Sequence, residues 1–348
     1  MKGSSLTIGR PIGADHPPFV IAELSANHLG SLERAHAIID AAADAGCDAV
    51  KLQTFTPSAM TLAAAGGDFH IADGPWQGRT LWDLYDEAHT PWDWHPPLFA
   101  HGAARGLVVF STPFDEDAVE RLDRLGAPAF KIASFELVDL ELIACAARTG
   151  KPMILSTGMA SDDEIVEAVD TARHHGAGGI ALLHCVSGYP TPIEQTNLRR
   201  LDALARHDAV LGISDHSPGA VVPTAAVARG AAIIEKHLTL ARADGGPDAG
   251  FSLEPAEMAE VVRGARLAWS ALGDGSPRRP AAEAGSRRFR RSLYAVDDIA
   301  PGQPLTRGNV RSIRPGFGLA PRELPAVLGR RARTAIARGT ALAWEMIE

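Results

Sequence analysis

The sequence predicts an α/β chain: a (β/α)8 TIM barrel followed by a small, mostly β C-terminal module. Three observations carry this reading. Apolar, strand-like runs alternate with helix-like segments eight times between residues 19 and 272. Polar side chains gather at the C-terminal end of nearly every run. The texture then changes after residue 272 to short strands and tight turns. Alternating β and α units imply a parallel sheet covered by helices, and eight units in roughly 250 residues is the size of such a barrel. An open doubly wound sheet is the competing arrangement, but no G-x-G-x-x-G follows the first strand.

The elements follow in order. "FVIAEL" (19–24) is apolar and β-branched, and "SLERAHAIIDAAADAG" (31–46) has helical spacing, with Ser31 as N-cap and a closing glycine. "DAVKLQT" (48–54) is the second strand. The segment 57–106 reads as an extended loop, then a helix opened by Thr90-Pro91. "LVVFST" (107–112), a helix over 115–126, "AFKIAS" (128–134) and a helix over 138–149 continue the pattern. "PMILST" (152–157), a helix over 161–175, "GIALLHC" (179–185) and a helix over 196–207 come next. "AVLGIS" (209–214), a helix over 220–230, "AAIIEKH" (231–237) and a helix over 254–272 close it. The barrel is therefore expected over 1–272, a Gly/Pro/Ala/Arg-rich linker over 273–288, and the β module over 289–348.

Composition narrows the function. The chain has 348 residues, 46% hydrophobic and 22% charged, which is ordinary for a globular protein. Its net charge is −8, and its one basic cluster, "RRFRR" (287–291), is short and isolated. Binding to nucleic acid needs clustered Lys and Arg to neutralise phosphates, so that class is not expected. Cys47, Cys145 and Cys185 are odd in number, lack CxxC spacing, and read as reduced thiols. No apolar run approaches ~18 residues and the N-terminal stretch has no apolar core. Neither a membrane span nor a signal peptide is expected, and the expected location is cytoplasmic.

The strand ends carry the chemistry. Glu23 ends the first strand, Lys51 and Gln53 the second, and Thr112 the third. Lys131 and Ser134 end the fourth, with Glu136 just beyond. Ser156 ends the fifth, Cys185 and Ser187 the sixth, Asp215 and His216 the seventh, and Glu235, Lys236 and His237 the eighth. In a (β/α)8 barrel these ends converge on one face, where active sites are built. Two inward lysines with several hydroxyls suit an anionic, phosphate-bearing substrate. Two histidines beside carboxylates suit a divalent metal acting as a Lewis acid on a carbonyl. Glu23 or Glu136 could move protons, and Asp215 could do so or orient a histidine. Plainer readings stand beside these. A strand-end histidine can be a hydrogen-bonded loop residue, a buried lysine a structural ion-pair partner, and Cys185 barrel packing. Trp76, Trp82, Trp92 and Trp94 could line a sugar site, with loop–helix packing as the default. Either lysine could instead form a Schiff base, as in metal-free barrel aldolases.

Eight segments carry a resemblance. "IAELSANHLGSLERA", "DAVKLQTFTP", "FSTPFD", "KIASFE", "ILSTGM", "LLHCVSGYPTP", "GISDHS" and "IIEKHLTL" together resemble the sialic acid synthase family, in order and over nearly the whole chain. "RSLYAVDDIAPGQPLTRGNVRSIRPGFGL" resembles that family's C-terminal SAF, or antifreeze-like, domain. "GRTLWDLYDEAHTPWDWHPPLF" and "GGPDAGFSLEP" are most similar to the pseudaminic acid branch, whose members accept 2,4-diacetamido-2,4,6-trideoxy-altrose. The N-acetylneuraminate and legionaminic acid branches are the alternatives. One departure is Ser187, where N-acetylneuraminate synthases commonly carry Asn.

The resemblance implies condensation of phosphoenolpyruvate with an N-acylated amino sugar and water, giving a nonulosonic acid and phosphate through C–O cleavage. It implies a divalent metal, Mn2+ or Mg2+, held by His216 and His237. Lys51, Thr112, Lys131, Ser134, Ser156, Ser187 and Ser214 would bind phosphoenolpyruvate, with Gln53 and Tyr189 as further substrate contacts. Glu23, Glu136 and Asp215 are the candidate catalytic groups. It also implies a domain-swapped homodimer in which Arg314 of "SIRPGFG" reaches the partner's sugar. An ice- or carbohydrate-binding role for the C-terminal module is the rival from another class. Flat ice-binding faces are rich in threonine, and residues 289–348 hold only Thr306, Thr334 and Thr340.

Overall fold

The structure, a computed structural model, describes residues 4–64 and 66–348. The first three residues of the range expected for the barrel lie outside the described residues. The chain divides into two compact units, Met1–Gly273 and Asp274–Glu348.

The first unit begins with a hairpin that the sequence reading did not contain, β1 (Leu6–Ile8) and β2 (Arg10–Ile12). Three residues per strand are too few to show an alternation. The turn is Gly9, at φ +68°, where any side chain would also strike Val108. Leu6, Ile8 and Ile12 are buried against Phe19, Ala181, Val210 and Ile233, so the hairpin plugs the amino-terminal end of the barrel.

Eight parallel strands form that barrel: β3 (Phe19–Glu23), β4 (Ala49–Thr54), β5 (Val108–Pro113), β6 (Phe130–Ile132), β7 (Met153–Ser156), β8 (Ile180–Cys185), β9 (Val210–Ser214) and β10 (Ile233–His237). The sheet closes where β10 pairs with β3, from Ile233 opposite Phe19 to His237 opposite Glu23. Closure rules out the open doubly wound alternative. It also explains the near-continuous apolar runs, because each strand is covered on both faces. Gly212 is needed in β9, since a Cβ there would meet the Ile233 carbonyl at 2.7 Å and collide with the Leu183 side chain.

The helices are α1 (Leu32–Asp44), α2 (Pro57–Met60), α3 (Leu81–Ala88), α4 (His95–Ala104), α5 (Glu116–Leu125), α6 (Leu140–Arg148), α7 (Asp162–His174), α8 (Arg200–Leu204), α9 (Val221–Ala228) and α10 (Pro255–Leu272). Ser31 caps α1 by accepting from the Arg34 amide. Ile38 and Ile39 of α1 are fully enclosed with Val50, Leu98 and Val109, and burying each such side chain contributes about 1.5–3 kcal/mol.

Two expectations need correction. Residues 57–106 are not a bare loop before one helix. Thr80 caps α3 by accepting from the Asp83 amide, and Leu84 and Ala88, one turn apart, are its buried pair. The next helix starts at His95, four residues after Pro91, whose ψ of 140° is extended. The helix expected over 196–207 shrinks to α8 and a 3-10 turn, because Asn197 and Asp208 take positive φ (43° and 47°) on either side. No helix of the described residues is long and apolar enough to cross a membrane.

In the second unit, β11 (Ser292–Ala295) pairs antiparallel with β12 (Val310–Ile313). Isolated bridges such as Ile299–Ile336 and Ala332–Ile347 extend the β character, and α11 (Leu324–Val327) is one short turn. Leu293, Ile299, Leu305, Val327 and Leu342 form its own core.

Candidate active site

The carboxyl ends of the barrel strands bring two buried lysines and two buried glutamates together. Lys51 of β4 donates to Thr112 Oγ1 at 2.9 Å, and its Nζ stands 2.5 Å from Glu23 Oε2 and 4.0 Å from Glu235 Oε1. Lys131 of β6 donates to the Ile132 carbonyl at 3.1 Å, 3.7 Å from Glu235 Oε1. Ser214 donates to that same Glu235 oxygen at 3.1 Å. All four ionisable side chains are enclosed.

The electrostatics follow from this packing. Burial pushes Glu23 up to about 7, partly offset by Lys51 and reinforced by the Glu235 charge. Burial also disfavours the Glu235 charge, yet Lys131 and Lys51 outweigh it and hold that carboxyl below its usual range. Lys131 is pushed down by burial, with only partial relief from Glu235. Lys51 faces the same burial, but Glu23 and Glu235 carry it upward. The ion pair to Glu23 is close, although its angle leaves both Glu23 oxygens without a hydrogen-bond partner. A site with two lysines and oxygens left unpaired is poised to receive an anion and to move a proton.

Beside the lysines lies a cradle of hydroxyls. Ser134 accepts from the Gly158 amide at 3.1 Å, and the Ser156 hydroxyl is buried without a partner. A Cβ on Gly158 would run into both Ser134 and Ser187 hydroxyls, so only glycine lets the backbone between β7 and α7 approach them. Three hydroxyls from three strand ends and two ammonium groups match a phosphate or carboxylate.

The two histidines meet as their strands imply. Their ring centroids are 5.3 Å apart. His216 Nδ1 donates to the Val186 carbonyl at 3.1 Å; burial opposes a charge on this ring, but the Cys185 sulfur and the Val186 carbonyl outweigh it and hold His216 above the usual imidazole range. His237 Nδ1 is buried with no partner. Burial, with nearby His216 and the lysines, holds His237 well below the usual imidazole range and therefore neutral. Tyr189 stacks on His216 at 4.5 Å, and Phe251 packs edge-on against His237 at 5.0 Å. Two imidazoles delivered side by side from adjacent strand ends, His237 held neutral, are ligand types that fit a divalent cation. Among the described residues, no group of three or more His, Cys, Asp or Glu side chains gathers as a metal cage, so such a cation would keep positions open.

Above these groups opens a cavity of about 270 Å³. Gln53, Glu136, His237 and Asp248 supply its polar points, while Phe55, Leu84, Tyr85, Phe114 and Phe251 make a mostly apolar wall. Burial pushes Glu136 up to about 7, with Lys131 opposing. Tyr189 also lines the cavity, its phenol raised by burial. Trp76 belongs here too: its Nε1 donates to the Pro247 carbonyl at 2.8 Å and its ring tilts on Tyr189 at 5.6 Å. Trp92 and Trp94 instead pack on Arg121 and His28.

Most of the expected site residues of the barrel converge, with one departure. Asp215 is turned away from the histidine rings. Its oxygens bind Lys236 and Ser217 in an ion pair on the outer face of the strand, so it is not placed to transfer a proton in the cavity and bonds neither ring directly. Arg314 lies exposed in the second unit and lines an open cleft with Phe289, Arg290 and Arg291. Cys185 is buried and free, 3.9 Å from the Ser187 hydroxyl. Three positions had no role in the sequence reading. Glu235 could have been found, since it precedes His237 by two and the strand period aims both inward. Gly158 and Asp248 could not. Asp248 is half-buried and bonded to Ser25, which carries a positive φ of 48°, and only folding brings the two together.

A closed (β/α)8 barrel with paired lysines, carboxyls and a hydroxyl cradle at its carboxyl end defines an enzyme, and comparison with known proteins places it. The NeuB family model matches residues 38–277 and the SAF domain model residues 290–348. The chain belongs to the NeuB family and ends in a SAF domain. It is 42% identical to the pseudaminic acid synthase of Campylobacter jejuni, over 94% of this chain and 96% of that one. It is 32% identical to the N,N'-diacetyllegionaminic acid synthase of Legionella pneumophila, over 97% of each. The solved N-acetylneuraminic acid synthetase of Leptospira borgpetersenii superposes with a TM-score of 0.74 at 33% identity, covering 82% of this chain and 95% of that one. The chain is thus a transferase of the carbon–carbon bond-forming type.

Proposed function

We propose that this chain is a pseudaminic acid synthase. It condenses phosphoenolpyruvate with 2,4-diacetamido-2,4,6-trideoxy-altrose and water, releasing pseudaminic acid and phosphate. The observation that carries the choice is the near end-to-end similarity, 42% to the C. jejuni pseudaminic acid synthase against 32% to the L. pneumophila legionaminic acid synthase. The apolar wall of Phe55, Leu84 and Phe114 supports a 6-deoxy acceptor over N-acetylmannosamine, because a 6-deoxy sugar presents a methyl group where N-acetylmannosamine carries a hydroxyl.

Lys51 and Lys131 neutralise the carboxylate and phosphate of phosphoenolpyruvate, with Ser134, Ser156, Ser187, Ser214 and Thr112 completing the hydrogen bonds. His216 and His237 would hold Mn2+ or Mg2+, which when bound supplies Lewis acidity to a carbonyl oxygen. Gln53, Tyr189 and Asp248 line the space for the open-chain sugar. C3 of phosphoenolpyruvate forms a bond to the sugar's aldehyde carbon, water adds at C2, and the C2–O bond to phosphate breaks. Glu23 and Glu136, both raised to about 7, are the groups able to accept and return protons near neutrality.

The assembly proposed is a cytoplasmic homodimer in which the SAF domain of one chain covers the partner's barrel, Arg314 meeting an acylamino carbonyl. Each unit by itself carries surface suited to such cover. The barrel's loops expose Phe135, Val138 and Met159, and the SAF domain exposes Phe289 and Phe317.

Phosphate release, assayed with phosphoenolpyruvate and three acceptors, tests the function. The 2,4-diacetamido-2,4,6-trideoxy-altrose should react well above the legionaminic precursor and N-acetylmannosamine. Preference for either of the others would replace this reading by the corresponding branch.

A further inference from the structure

The register of β9 and β10 continues past their last ladder pair in an unusual way. Ile233, Ile234 and Glu235 face Gly212, Ile213 and Ser214 in the ladder. The next step of the same register sets Lys236 opposite Asp215, and the step after that sets His237 opposite His216. At the first of these steps the link between strands is a side-chain ion pair. Lys236 Nζ donates to Asp215 Oδ2 at 2.9 Å, donates to the Ser217 carbonyl, and lies 3.5 Å from the Gly219 carbonyl. Asp215 in turn accepts from the Ser217 amide and hydroxyl, both at 3.0 Å. Lys236 is 1% exposed and Asp215 3%.

This pair sits on the helix side of the strands, away from the substrate cavity, so no step of the reaction uses it. Stability alone does not account for it either, since a buried ion pair is often no more stabilising than apolar side chains of the same volume. Its effect is geometric. Each histidine is bonded through the backbone to one member of the pair, and the pair ties the loop 215–219 down onto β10. The ring spacing of 5.3 Å is therefore set by two strand ends that cannot slide or splay independently. Metal ligands need such support, because ligand distances must hold within about 0.2 Å and loss of outer partners typically costs ten- to a hundredfold in affinity.

We infer that Lys236 and Asp215 are positioning residues that hold His216 and His237 in register as one two-imidazole unit for a divalent cation. The inference rests on the metal reading above. Its test is Mn2+ titration of the full-length protein, followed by the electron paramagnetic resonance signal of free Mn2+, with melting temperatures measured in parallel. Wild type should bind Mn2+. Folded Lys236→Met and Asp215→Asn proteins should bind it ten- to a hundredfold more weakly, while Lys236→Arg, which keeps the charge, should recover most of the loss. The Michaelis constant for phosphoenolpyruvate should stay near that of wild type, because the two lysines of the anion site, Lys51 and Lys131, lie on other strands and Ser214 faces the opposite side of β9 from Asp215. A folded variant lacking the pair that binds Mn2+ as wild type does overturns the inference and leaves the metal reading standing. A wild type that takes up no Mn2+ overturns both. Should Lys236→Met fail to fold, Asp215→Asn against Lys236→Arg decides the matter.

Discussion

Lys51 Nζ and Glu23 Oε2 stand 2.5 Å apart inside the barrel, with Glu235 the next carboxylate at 4.0 Å. One ammonium thus faces two buried carboxyls, and burial, reinforced by the Glu235 charge, keeps the Glu23 proton within reach of neutral pH. Lys51→Met should strand the Glu23 carboxyl, while Glu235 keeps Lys131, and destabilise the protein by about 3–5 kcal/mol, the usual cost of removing one partner of a buried pair. Adding Glu23→Gln should return part of that loss. Denaturant unfolding of the single and double variants checks it; equal stability of Lys51→Met and wild type would contradict the packing argument.

Burial lowers the Lys131 pKa, and an incoming anion would offset that burial. Lys131→Met should weaken phosphoenolpyruvate binding by about 1.5–3 kcal/mol, the worth of a charge-assisted hydrogen bond. The readout is the Michaelis constant for phosphoenolpyruvate at saturating sugar. An effect on the sugar constant alone would move Lys131 out of the anion site.

Glu136 gives a pH dependence whose sign can be worked out. Its folded value, about 7, lies above the ordinary glutamate value of 4.5. Between those values the folded state holds a proton that the unfolded chain has lost. The stability this represents is complete below about 4.5 and disappears as pH rises through 7. Relative to wild type, Glu136→Gln should therefore gain stability across that window, reaching roughly 3 kcal/mol at pH 8. Unfolding free energies of the two proteins at pH 4.5, 6 and 8 test this, and a constant difference between them would refute the raised value.

Gly158→Ala should leave the fold intact but crowd the Ser134 and Ser187 hydroxyls. We expect the Michaelis constant for phosphoenolpyruvate to rise at least tenfold, equivalent to about 1.4 kcal/mol, with the sugar constant little changed. A crystal structure of the variant with inorganic phosphate would show whether the two hydroxyls have moved. Unaltered phosphoenolpyruvate kinetics would mean that the cradle serves something else.

Much of this was legible before folding. The βα period gave the barrel, and the polar strand ends named Glu23, Lys51, Lys131 and both histidines, because parallel strands bring like ends to one face. What could not be read depends on contacts distant in sequence or on geometry without side-chain identity. The β1–β2 hairpin is too short for a period. Asp248 acquires its place only by bonding to Ser25, 223 positions away. Gly158 has no side chain to advertise a role. Asp215 shows the opposite error: its neighbour is a histidine in sequence, but a pleated strand turns successive side chains to opposite faces, and its partner in space is Lys236.

The last prediction concerns how two chains share one site. Arg314 is exposed in the second unit, and its guanidinium is suited to an acylamino carbonyl. In a domain-swapped homodimer, each complete site takes its barrel from one chain and its cover from the other. Arg314→Ala should raise the sugar Michaelis constant while sparing phosphoenolpyruvate, and His216→Ala should abolish turnover without unfolding the barrel. Neither chain alone then forms a complete site. Mixed and allowed to exchange subunits, half of the dimers are heterodimers, and each has one site with an intact barrel under an intact cover. About a quarter of wild-type activity should therefore return, if the cover acts in trans. Heterodimers isolated with two different affinity tags make the measurement direct. If such heterodimers show only the residual activity of the Arg314→Ala chain, the SAF domain covers its own barrel and the swapped arrangement is wrong.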